Sequence, residues 1–118
     1  MSVNLYEITY HFEKEFRKSD EYLRFVRLYT EVNADPATKQ LFRKLNNSQM
    51  KLQQKQMTGQ EVRQQEVEEL QKIAAAAQQN QKIAQLMEAD QHVNTLMMEL
   101  SKIMTKPLED IYNTFEGR

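Results

Sequence analysis

The stretch Ile83 to Met104, IAQLMEADQHVNTLMMELSKIM, contains neither Gly nor Pro and repeats its apolar residues at helical spacing. Leu86, Ala89, Val93, Leu96, Leu100 and Ile103 step 3, 4, 3, 4 and 3 residues apart, which places all six on one side of a helix. Ile83, Met87, Met97 and Met104 widen that side into a broad apolar face. A face of this width packs against more than one neighbour, within the chain or on a second copy. The core or oligomer-interface residues expected from it are Leu86, Val93, Leu96, Met97 and Leu100.

The rest of the chain is consistent with helices. Two Gly and two Pro in 118 residues leave few sites for tight turns, while Ala, Leu, Glu, Lys, Gln and Met, the good helix formers, are abundant. The expected fold is all-α: a self-associating bundle of about five to six helices built on long antiparallel helices. A chain of this length forms one domain, 1–118, with only a modest core. Helices are expected near 4–18, 20–33, 36–57, 64–79, 81–105 and 107–115.

Local signals set those limits. Asn4 is an N-cap with Glu7 at capping-box spacing, followed by Leu5, Ile8, Phe12 and Phe16 along one face. Ser19 caps a second helix whose first turn carries Asp20 and Glu21. Leu23, Val26 and Val32, with the aromatics Tyr22, Phe25 and Tyr29, read as core. Asp35-Pro36 opens a third helix, with Pro at the first helical position, and Thr58-Gly59 closes it. Its inner face is Leu41, Leu45 and Leu52, with Phe42, Gln49 and Gln56 beside them. Val67, Leu70, Ile73, Ala74 and Ala77 continue the period, and the small residues permit close approach of another helix. Asn80 is placed to cap a fresh helix, so a break or kink is expected at 79–81, with one helix through 64–104 as the alternative. Pro107 ends or bends the central helix, and Gly117-Arg118 should fray.

Charge divides the chain. Residues 1–57 carry ten Lys/Arg against seven Asp/Glu, and 58–118 carry six against ten, so +3 and −4 give the net −1. Complementary halves that face one another explain this most simply. Residues 37–57 contain no acid, and Lys39, Arg43, Lys44, Lys51 and Lys55 make them a basic helix. A possible partner or RNA surface therefore consists of these five with Met50 and Met57, whose flexible thioethers lie off the expected core side. Nucleic acid is the less favoured partner because the acidic half can cover this helix.

Motifs of catalysis are missing. His11 and His92 stand alone, no Glu-x-x-His completes a di-metal bundle site, and the serines lack a nucleophile-elbow context. Two isolated glycines do not build a phosphate cradle. Catalytic, cofactor-binding and metal-binding residues are therefore all expected to be none, and the protein is expected not to be an enzyme. Zero cysteines exclude a disulfide or thiolate site and fit a reducing cytoplasm. No apolar run approaches a membrane span, and the N-terminus does not read as a signal peptide.

The span TEVNADPATKQLFRKLNNSQMKLQQKQMTGQEV resembles the YlbF/YmcA-like bacterial helical family, in its YheA-like branch. The family pattern falls on Asp35, Ala37, Leu41, Phe42, Gln49 and Leu52. Branch-like stretches are LQQKQMTG at 52–59, QLMEADQ at 85–91 and KPLEDIY at 106–112. The resemblance implies a helical bundle, a bacterial cytoplasmic setting and self-association as a homodimer or small homo-oligomer. It also implies regulatory work, since relatives are partners of an RNA-degradation complex and influence competence, biofilm formation and sporulation. Those relatives use cysteines in iron–sulfur binding. This chain has none, so the cluster does not carry over and no cofactor is expected.

Overall fold

Several helix ends in this chain follow from side chains able to satisfy free backbone groups. In the computed structural model, which describes residues 4–116, Asn4 Oδ1 accepts from the N–H groups of Tyr6 at 2.9 Å and Glu7 at 3.3 Å and starts α1, Leu5–Phe16. Ser19 Oγ donates to the Phe16 carbonyl at 2.7 Å and accepts from the Tyr22 N–H at 3.3 Å. That one hydroxyl ends α1 and starts α2, Asp20–Ala34. Helix α3, Pro36–Thr58, stops at Gly59 with φ 72°, a left-handed conformation that suits glycine. The Gln60 N–H bonds the Lys55 carbonyl there at 2.9 Å, as in a Schellman closure. Helices α4, Gln64–Gln79, and α5, Gln81–Glu116, complete an all-helical chain with no strand among the described residues.

Four helix ends meet at one polar junction. Asp35 lies at the turn from α2 to α3 and Asn80 at the turn from α4 to α5. The buried Thr38 hydroxyl donates to the Asp35 carboxylate and accepts from Asn80 Nδ2 at 3.4 Å. Asn80 Oδ1 in turn accepts from the Ile83 N–H at 3.1 Å, capping α5. Every polar atom of this buried node has a partner, as burial requires.

Two antiparallel arms leave the junction. In one, α2 lies on α5: Arg24 near the start of α2 meets Glu88 at 3.7 Å and His92 at 3.4 Å, while Asp35 at its end sits near Lys82. In the other, α3 pairs with α4, and Lys55 binds Glu66 at 2.5 Å. The core is Leu28, Val32, Leu45, Ala77, Ile83, Leu86 and Ala89, all buried near the fork. Both inter-helix ion pairs join the basic half to the acidic half, the complementarity the charge asymmetry predicts.

The shape is elongated, 57 × 37 × 20 Å, with a radius of gyration of 19.6 Å; a compact domain of this length would have roughly 13–14 Å. Helix α5 alone spans about 54 Å at ~1.5 Å per residue. Past Leu100 it is exposed throughout to Phe115, because α2 covers only its first half. Helix α1 packs extensively on no other helix.

The structure departs from the sequence reading in three places. Helix α5 runs unbroken through Pro107, where a boundary is expected at 105–107. Proline deprives the Ile103 carbonyl of its intrahelical donor, but this stretch is exposed and water can replace it. Of the α2 residues read as core, Leu23, Val26 and Tyr29 are exposed; α1 does not pack extensively on α2, and Tyr29 opens onto the space between α2, α3 and α5. Met97, Ile103 and Met104 on α5 are exposed as well, so Met97 belongs to no core within one copy. The expected fraying of Gly117-Arg118 lies outside the described residues.

Candidate functional site

The fork leaves an open cleft between the arms. Bulky aromatics near its base keep α3 from closing on α5: Phe25 and Tyr29 lie 5.8 Å apart between ring centres, and Phe42 meets Tyr29 edge-on at 5.9 Å. Beyond them the arms enclose about 570 Å³. Its base reaches the buried Leu45 and Leu86, and Met87 and Met98 line the α5 wall. The rim is polar, with Asn46 and Gln49 on α3 facing Asp90 and Asn94 on α5. Asp90 accepts a hydrogen bond from Asn94 at 3.3 Å and is exposed. An apolar floor with a neutral-to-acidic polar rim suits an amphipathic helix or peptide.

The basic residues of α3 do not act as one group. Arg43, Lys44 and Lys51 are exposed, Lys39 is half-buried, and Lys55 is half-buried and committed to Glu66. Met50 and Met57 are exposed on the same helix. Of the α5 residues, Leu86 is buried against the fork, and Val93, Leu96 and Leu100 are half-buried along the seam below α2. The sequence reading missed Leu28 and Thr38. Leu28 sits between Phe25 and Val32 at helical spacing and was findable from that period; nothing local marks Thr38 as buried.

Two carboxylates have their ionised forms favoured. A hydrogen bond from Thr38 holds Asp35 below the ordinary carboxylate range against partial desolvation, helped by Lys82. A hydrogen bond from Lys55, with its charge and that of Lys51, lowers Glu66. Groups with depressed folded pKa values add stability that is present above their unfolded value of about 4 and lost as pH falls through the folded value. Urea melts should therefore show a midpoint that drops on acidification below about pH 4. The drop should be smaller for Glu66→Gln; an identical acid profile in that variant would remove the Lys55–Glu66 pair as a source.

Among the described residues no group of three or more His, Cys, Asp or Glu could hold a metal ion, and no helix is long and apolar enough to cross a membrane.

Known proteins place this architecture. Residues 5–109 match the family model described as "Control of competence regulator ComK, YlbF/YmcA". The UPF0342 protein of Bacillus pumilus is 52% identical over 116 residues, covering 98% of each chain. The UPF0342 protein YheA of Bacillus subtilis is 48% identical over 117 residues, covering 99% of this chain and 100% of its own. A solved structure, a protein of unknown function (DUF964) from Bacillus stearothermophilus, superposes with a TM-score of 0.85 at 32% identity, over 94% of this chain and 97% of that one. The matches span the arms, the junction and most of α5 alike, and so the chain belongs to the YlbF/YmcA family, within its YheA-like branch.

Proposed function

We propose that this protein is a non-enzymatic, self-associating helical adaptor of the bacterial cytoplasm, whose inter-arm cleft receives a helical segment of a regulatory protein. One observation carries the reading: among the described residues more large apolar side chains are exposed than buried, and some of them line a groove with a polar rim. Scattered exposed apolar residues are normal, but grouped ones mark interaction surfaces. The family's description, control of the competence regulator ComK, supports a regulatory role, and kinship extends it to partners in RNA degradation.

A tagged pull-down from the native cytoplasm, with and without nuclease, tests it. The expected result is a protein partner that survives nuclease and is lost from Met98→Asp, a change at an exposed cleft position. A hot-spot loss of about 2 kcal/mol would reduce capture more than tenfold. Partners released by nuclease would overturn this reading in favour of RNA on Arg43, Lys44 and Lys51. Recovery of the protein alone would withdraw the regulatory claim.

A further inference from the structure

The two helical segments with the least cover in the chain carry the same motif. Helix α1 reads Leu5-x-x-Ile8-x-x-x-Phe12, and the end of α5 reads Leu108-x-x-Ile111-x-x-x-Phe115. Both stripes follow the alternating three- and four-residue step of helices that pack side by side. In the structure both face solvent: Leu5 is 73% and Ile8 51% exposed, and Leu108 is 57%, Ile111 53% and Phe115 80% exposed. Only Phe12, at 38%, is partly covered, next to Phe16.

We propose that a second copy of this chain covers both stripes, so that α1 and the end of α5 from each copy form one four-helix layer about a two-fold axis. The proposal rests on the reading of the chain as self-associating and adds the surface that does it. Four observations favour cover by a second copy. Each copy brings two matched stripes of equal length, so two copies supply the four amphipathic helices that a bundle layer needs. With an aromatic side chain worth roughly 150–250 Å², the six stripe residues expose on the order of 600 Å². With neighbouring Tyr6, Met104 and Tyr112 also exposed, the surface reaches the ~800 Å² per partner of a standard interface. A free helix the length of α1, 12 residues, is moreover marginal in water without a packing face. The α5 seam supplies continuity: the apolar face covered by α2 in the first half continues uncovered into the second.

Light scattering on the full chain tests this. The wild type should have twice the 14.1 kDa chain mass, and Ile111→Asp/Phe115→Asp should fall to the mass of one chain with its helical circular dichroism retained. Met57→Asp, at a position 79% exposed on the other arm, should leave the assembly intact. Because the chain has no cysteine, a paired measurement does not depend on the Asp variant folding. Ile8→Cys mixed with Ile111→Cys should give more covalent dimer with a short bifunctional thiol reagent than either variant alone, whereas mixing Met57→Cys with Ile111→Cys should add none. A wild type at the mass of one chain at micromolar concentration would overturn self-association itself. An assembly that survives Ile111→Asp/Phe115→Asp and shows no Ile8–Ile111 cross-link would overturn only this surface.

Discussion

Leu86→Ala is expected to lower unfolding free energy by about 2–5 kcal/mol. Leu86 is 1% exposed and lies in the core at the fork between the two arms. Its removal costs the transfer of the lost methyl and methylene groups and leaves a cavity in a core of few residues. A domain of this size is stable by only about 5–15 kcal/mol, so the loss is a large share of the total. Chemical denaturation read by circular dichroism should show an earlier midpoint with an unchanged slope. A midpoint within error of wild type would mean that the fork is not the stabilising centre of the fold. The half-buried Leu100, further along the same face, should cost less when cut back to Ala, because solvent already reaches that position.

Ala77→Leu should act through the opposite fault. Ala77 is fully buried, at 0% exposure, in the last turn of α4. A larger side chain there has to push α4 from its neighbours, three residues before the Asn80 turn, and overpacking of this kind costs about 1–3 kcal/mol or more. Ala75→Leu is the internal control, since Ala75 is exposed on the same helix and Leu and Ala are both good helix formers. It should change stability by no more than about 0.5 kcal/mol. Equal losses in the two variants would show that the effect comes from the helix and not from the closeness of its packing.

The contrast between those alanines illustrates how far sequence alone can go. The run Ala74 to Ala77 announces close helix approach, but three of its four residues leave the contact half-made or absent, and only Ala77 is fully enclosed. Periodicity identifies a face within a turn or so; it does not say how far along that face a partner extends. The inter-arm cleft was illegible for a related reason. Its walls come from α2, α3 and α5, more than forty residues apart in places, and its width is set by how Phe25, Tyr29 and Phe42 stack at the fork.

By itself the sequence determined most helix ends, though not the continuation of α5 through Pro107, because caps and turns are decided within a few residues. Asn4 and Ser19 accept local N–H groups, Gly59 takes the left-handed turn, and Asn80 caps α5. The all-helical class follows from the same local propensities, and the pairing of a basic with an acidic half from the uneven distribution of charge along the chain. Only the tertiary structure decided which part of each apolar stripe is core. The α5 stripe has the same character before and after Leu100, and α1 is as amphipathic as α2. What separates buried from exposed is how far each neighbour reaches: α2 covers only the first half of α5, and α1 packs extensively on no other helix. That reach depends on contacts between residues far apart in the chain, which no local pattern records.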